Sequence, residues 1–100
     1  MPGETESHAF TQELGVSEEE FFRLLPAAIG HREFARDERT VRMEVDGHVV
    51  TLELGSEEVR RLGSLELPYL EVTFRFFGLP AEAEARFMDR FELYFQRGGG

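Results

Sequence analysis

The stretch TVRMEVDGHVVTLEL, residues 40–54, constrains the fold more than any other part of the chain. Two runs of alternating apolar and polar residues meet at Asp46-Gly47. A period of two marks a strand with one buried face, and Asp-Gly supplies the two positive-φ positions of a type I′ turn. A two-residue loop leaves one register. Val45 faces His48, Glu44 faces Val49, Met43 faces Val50, Arg42 faces Thr51 and Val41 faces Leu52. One side then carries Val41, Met43, Val45, His48, Val50, Leu52 and Leu54; the other carries Thr40, Arg42, Glu44, Val49, Thr51 and Glu53.

A hairpin alone is marginal in water, so other strands and a covering layer are required. Residues 69–77, YLEVTFRFF, alternate in the same way. Leu70, Val72, Phe74 and Phe76 share one side, and Tyr69, Glu71, Thr73, Arg75 and Phe77 share the other. The connecting segment GSEEVRRLGSLELP, residues 55–68, supports two readings. Ser56 with Glu57 and Glu58 starts a short helical turn, or Leu65 and Leu67 belong to a further strand interrupted at Pro68.

Two segments carry the helical period. In VSEEEFFRLLPAAIG, Ser17 is the N-cap, Glu20 completes a capping box, and Val16 with Phe21 closes a hydrophobic staple. Phe21, Leu24, Leu25, Ala28 and Ile29 form the apolar stripe. Pro26 predicts a kink or restart before the stop at Gly30. After GLP, Phe87, Met88, Phe91, Tyr94 and Phe95 form a second stripe that stops at Arg97-Gly98. Residues 31–39 read as a loop with room for a short strand.

The expected fold class is therefore α+β. It is a two-layer sandwich with an antiparallel sheet of three or four strands and an N-terminal and a C-terminal helix packed on one face. The expected organisation is a mobile acidic N-terminus over 1–12, one domain over 13–97, and a flexible Gly tail over 98–100. Phe74, Phe76, Phe87, Phe91 and Phe95 fall on facing stripes and are assigned to the core. Phe77 falls on the polar side of its strand. It turns inward at the strand end, or joins Tyr69 and Val49 in an exposed apolar spot.

Charge and absences narrow the function. Twenty acids against eleven basic residues give a net charge of −9, with no basic stripe to neutralise phosphates, which argues against nucleic acid. No apolar run is long enough to span a bilayer, and the N-terminus lacks the features of a signal peptide, so a soluble cytoplasmic protein is expected. The chain has no Cys and no Lys, which removes thiolate and Schiff-base chemistry. Missing Lys and Asn, with a single Ile, fit a GC-rich bacterial genome.

His8, His31 and His48 lack metal-site spacing, and Ser7, Ser17, Ser56 and Ser64 lie in no nucleophile motif. Glu18, Glu19, Glu20, Glu57 and Glu58 read as helix-start residues. Arg60 and Arg61 form the densest positive spot, a weak anion site. No catalytic, metal or cofactor residue is assigned, and no cofactor is expected.

The resulting expectation is a small non-catalytic accessory or protein-interaction module. Its partner contacts are assigned to Arg42, Tyr69, Arg75 and Phe77, with a homodimer through an edge strand or the open sheet face as one arrangement. The alternative is a binding protein or small enzyme holding an apolar or aromatic ligand in a Phe-lined cavity, with His48 or Tyr94 reaching in.

Overall fold

The structure is a computed structural model that describes residues 5–99. In chain order it contains β1 (His8–Leu14), α1 (Glu18–Ala28), β2 (Phe34–Asp37), β3 (Thr40–Val45), β4 (His48–Leu54), β5 (Glu58–Leu62), β6 (Leu65–Phe77) and α2 (Ala81–Gly99). The class is α+β, with an antiparallel sheet of six strands. The order is β1-β6-β4-β3-β2, and β5 pairs with β6 off this path. The first strand thus lies beside the last, and β6 is the spine of the sheet.

The β3–β4 hairpin has the register its turn dictates, from Thr40 opposite Glu53 to Val45 opposite His48. Asp46 and Gly47 take φ of 52° and 82°, as a type I′ turn requires. Val41, Met43, Val45, Val50, Leu52 and Leu54 are buried. They join Leu70, Val72, Phe74 and Phe76 of β6 with Phe21, Leu25 and Ala28 of α1 and Phe87, Phe91 and Phe95 of α2 in one cluster. The rings meet directly. Phe91 stands edge-on to Phe74 at 5.0 Å and stacks on Phe95 at 4.4 Å.

Six strands replace the expected three or four, and the physical reasons differ. Residues 8–14, placed partly in a mobile terminus, form β1 along β6; residues 1–4 lie outside the described residues. The core side of β1 carries His8 and Gln12 beside Phe10 and Leu14, so its polar residues hide the period. Both polar side chains reach α2: His8 Nδ1 lies 2.5 Å from Glu84 Oε2, and Gln12 Nε2 donates to Glu92 Oε2 at 2.9 Å. In β2 the charge alternation conceals an inward Arg36, whose guanidinium lies over the Phe22 ring at 3.6 Å. In β5, Glu58 opens a strand and not a helical turn.

The helices also depart in detail. Ser17 caps α1 by accepting from the Glu20 N–H at 3.1 Å, while the Glu20 carboxylate pairs with Arg23. Pro26 sits inside α1, which continues to Ala28. At the last turn the proline forfeits one backbone bond without ending the helix. Gly30 and His31 then turn the chain with φ of 73° and 61°. At the other end α2 runs through Gly98 and Gly99, two residues past the expected stop. Glycine raises the cost of helix without forbidding it. Gly100, the end of the expected flexible tail, lies outside the described residues.

Candidate functional site

Two features lie outside the buried cluster: the outward side of the sheet, and the arm formed by β5 and the start of β6. The outward side follows from strand alternation. Across it, Arg42 faces Thr51, Thr51 faces Arg75, and Arg75 faces Ala9. Arg75 donates to Glu53 at 3.0 Å and to Glu6 at 2.9 Å. Its pKa is raised above the usual arginine value, chiefly by the hydrogen bond to Glu53 and then by that to Glu6. Thr51 Oγ1 is buried between the two arginines and has no hydrogen-bond partner among the described residues. Phe77 faces Val49 and is half-buried.

Tyr69 lies elsewhere. Eight residues separate it from Phe77 along β6, roughly 27 Å at the rise of a strand. The four residues assigned to partner contact thus share one side of the sheet without forming one spot. Arg42, Arg75 and Phe77 lie over the body of the sheet, and Tyr69 lies at the root of the arm.

The arm begins with a bulge. Leu54 faces Val72 and Glu58 faces Tyr69, so residues 55–57 oppose only two residues of β6. The extra residue lets β4 leave the body and continue as β5 after a bend. Gly55 keeps the first register by donating its N–H to the Glu71 carbonyl at 2.7 Å. A cleft of about 360 Å³ opens here, lined by Gly55, Ser56, Glu58, Tyr69 and Glu71. Beyond it, Arg60 faces Leu67, Arg61 faces Glu66, and Leu62 faces Leu65 across the Gly63-Ser64 turn. Gly63 has φ of 63°, which suits the first position of a tight hairpin turn.

Nothing in the described residues covers this ribbon. Val59 is 50% exposed, Leu62 55%, Leu65 59% and Leu67 42%. Leu62, Leu65, Leu67 and Tyr69 share one side with Arg60, by the pairing and the alternation of β6. The two arginines, read from the sequence as an anion spot, are engaged within the protein. Arg60 pairs with Glu13 at 2.7 Å and lies over the Tyr69 ring at 4.3 Å. Arg61 pairs with Glu66.

A second cluster of arginines lines a cleft of about 330 Å³ beside the end of α1, with Arg32, Arg86, Arg90 and Asp46 over Ala28, Val45 and Phe87. Arg90 Nε donates to the Ala27 carbonyl at 2.9 Å, and Arg32 Nη1 donates to the Ile29 carbonyl at 2.8 Å. These guanidiniums close the C-terminal carbonyls of α1, a structural task. Among the described residues no group of three His, Asp or Glu side chains is placed to hold a metal ion, and no helix is long and apolar enough to cross a membrane.

Sequence reasoning missed the arm as a site because EVRRL has no apolar period. The signal present was the trio Leu62, Leu65 and Leu67 around a Gly-Ser turn. No family model, curated protein or solved structure matches this chain.

Proposed function

We propose that this chain is a non-catalytic protein-interaction module that makes its contact through the β5–β6 arm. The observation that carries this reading is the arm's composition: Leu62, Leu65 and Leu67, about half exposed, lie together on one side of a two-stranded ribbon, with Val59 half exposed on the other. Such a ribbon is marginal in water unless a third strand or a helix covers it, and a contiguous exposed apolar patch marks a contact surface. Tyr69 belongs to the site, whereas Arg42, Arg75 and Phe77 flank it on the same side of the sheet. We take the body to be a two-layer support, with both helices on one face, that holds the arm out in the cytoplasm.

The alternative was a Phe-lined ligand cavity. The rings named for its wall pack against one another, and Phe74, Phe76 and Phe91 are fully buried. Of the six C-terminal phenylalanines only Phe87 lines one of the clefts described above, and there arginines form the rim. This favours the module.

The test is site-specific photo-cross-linking in cells, with a benzophenone amino acid in place of Leu65 or, as a control on α2, Glu82. We expect one discrete adduct from position 65, lost when Leu62 and Leu67 are both changed to Asp, and none from position 82. Equal labelling from both positions, or none from position 65, would count against the arm as the contact.

A further inference from the structure

We propose that the occupant of the arm is a second copy of this chain, joined to the first by antiparallel pairing of the two β5 strands about a two-fold axis through Val59. The inference rests on the reading of the arm as a contact surface and names its partner.

One edge of the arm is free to pair. The Ser7 N–H bonds to the Phe76 carbonyl on the β1 side of β6, and the Gly55 N–H bonds to the Glu71 carbonyl on the β4 side. Backbone direction alternates along a strand, so even residues of β6 point towards β1 and odd residues towards β4 and β5. β1 ends at Leu14 opposite Leu70. Past that point the β1-side edge of the arm offers only Glu66 and Pro68, and proline has no N–H to give. That edge is blocked. On β5, Glu58, Arg60 and Leu62 point towards β6, opposite Tyr69, Leu67 and Leu65. Val59 and Arg61 therefore point their backbone groups away from the sheet, along an edge that no described strand covers. This edge is open to strand addition.

Charge along β5 selects one register. Antiparallel edge pairing of two identical strands requires a two-fold axis perpendicular to the sheet, which keeps each strand's outward side outward. Only outward-pointing residues can exchange hydrogen bonds across it, so the ladder centres on Val59, on Arg60 or on Arg61. A centre at Arg60 sets Arg60 against itself, and a centre at Arg61 sets Arg61 against itself. Like charges directly opposed disfavour both. A centre at Val59 behaves differently, because residues 57–61 read Glu-Glu-Val-Arg-Arg, which is charge-antisymmetric about the valine. Each Glu58 then faces Arg60 of the second copy, and each Glu57, at the edge of the bulge with one carboxylate oxygen accepting from the Glu18 N–H at 2.9 Å, comes next to Arg61. The pattern is its own complement.

The pairing also makes the two ribbons continuous. The two-fold places Leu62, Leu65, Leu67 and Tyr69 of both arms on one side of a four-stranded sheet. Each ribbon thereby gains the neighbouring strand it lacks. The arginines already pair with Glu13 and Glu66, but a guanidinium has donors for two carboxylates, as Arg75 shows with Glu53 and Glu6. The contact is short and lies at the low end of interface sizes, so the dimer is weak.

Sedimentation velocity from 10 to about 500 µM, with thermal melts to check folding, tests this. The wild-type chain is expected to shift from monomer towards dimer across that range. E57R/E58R and R60E/R61E should each remain monomeric at every concentration. Mixed in equal amounts, they should form a heterodimer, because Arg-Arg-Val-Arg-Arg complements Glu-Glu-Val-Glu-Glu. The fourfold variant E57R/E58R/R60E/R61E, again self-complementary, should recover the dimer. Amide exchange adds a readout independent of stability: Val59 N–H should exchange more slowly as concentration rises, and Glu66 N–H should not. A wild-type chain that stays monomeric, with Val59 exchange independent of concentration, overturns the inference while leaving cross-linking at Leu65 to decide the arm itself. A dimer that survives charge reversal but is lost in L65D/L67D assigns contact to the leucine side of the arm and overturns the β5 pairing. A cross-link from position 65 to a different polypeptide, with no dimer, replaces the second copy by another partner.

Discussion

Phe91 is fully buried, and its ring touches rings from β6 and from α2 itself. Removing such a side chain forfeits the transfer of the ring and leaves a cavity that neighbouring aromatics fill poorly. We expect Phe91→Ala to lower stability by about 3–5 kcal/mol, read from chemical denaturation midpoints with an unchanged slope. A loss below about 1 kcal/mol would mean that the ring faces open space and would revive the cavity reading. Gly78 tests a different force. Its φ is 89°, and an added Cβ would lie 3.1 Å from His48 Nδ1. Gly78→Ala then meets backbone strain and a tight contact together, and should cost more than about 1 kcal/mol in the same assay. Gly15 has no heavy atom within 4 Å of its added Cβ and no positive φ, so Gly15→Ala serves as the control.

At the scale of elements, the arm and the body differ in what holds them. No residue of 58–69 belongs to the buried cluster. The core therefore does not need the arm, although removing it costs α1 the Glu57 carboxylate that accepts from the Glu18 N–H at 2.9 Å, an exposed contact. Replacing residues 57–69 by Asn-Gly leaves Ser56-Asn-Gly-Leu70 as a four-residue loop closed by the Gly55–Glu71 pair, in the register that Leu54 and Val72 already keep. We expect this variant to fold with a stability within about 1 kcal/mol of the full chain, since it leaves the core intact. A circular dichroism melt showing an unfolded chain would make the arm part of the fold.

The same contrast explains what was legible in the sequence. Hydrophobic period reports burial on one side. It was plain in β3, β4, the body half of β6 and the two helices, each of which buries one face. It faded in β1 and β2, where His8, Gln12 and Arg36 occupy inward positions and are satisfied by α2 carboxylates, by the Phe22 ring and by Glu18. It was absent in β5, which buries neither side. Tyr69, Arg42, Arg75 and Phe77 could be placed on the outward side by alternation alone. The arm that sets Tyr69 apart from the other three could not, because a bulge is a one-residue mismatch between registers.

For the whole molecule, one strand sets the shape. The principal extents are 50 × 23 × 21 Å. α2, with 19 residues, spans only about 28 Å, whereas the 13 residues of β6 span about 44 Å. The long axis is therefore β6, and its first five residues, Leu65–Tyr69, belong to the arm. The shortened variant, without residues 57–69, should lose most of that elongation. Small-angle scattering on monomeric samples should give a maximum dimension smaller by about 15 Å, roughly the length of five strand residues, and a radius of gyration below that of the full chain. An unchanged dimension would mean that the arm folds back on the body in solution, where its leucines would be covered by the chain itself. Charge adds a further condition at this scale. Two chains of −9 each repel over a Debye length of about 10 Å at 0.1 M salt and about 30 Å at 0.01 M. A contact made by the β5 strands, along the arms and not between the acidic bodies, is penalised less by this repulsion than one between the bodies. Association of the full chain should accordingly strengthen as salt rises from 0.01 to about 0.15 M, once the bodies are screened from one another. It should then weaken towards 1 M, where the Debye length falls to about 3 Å and the paired Glu and Arg side chains are screened as well. A steady rise across the whole range would assign the contact to the leucines alone. A steady fall would mean that charge pairing outweighs the repulsion of the bodies at every ionic strength.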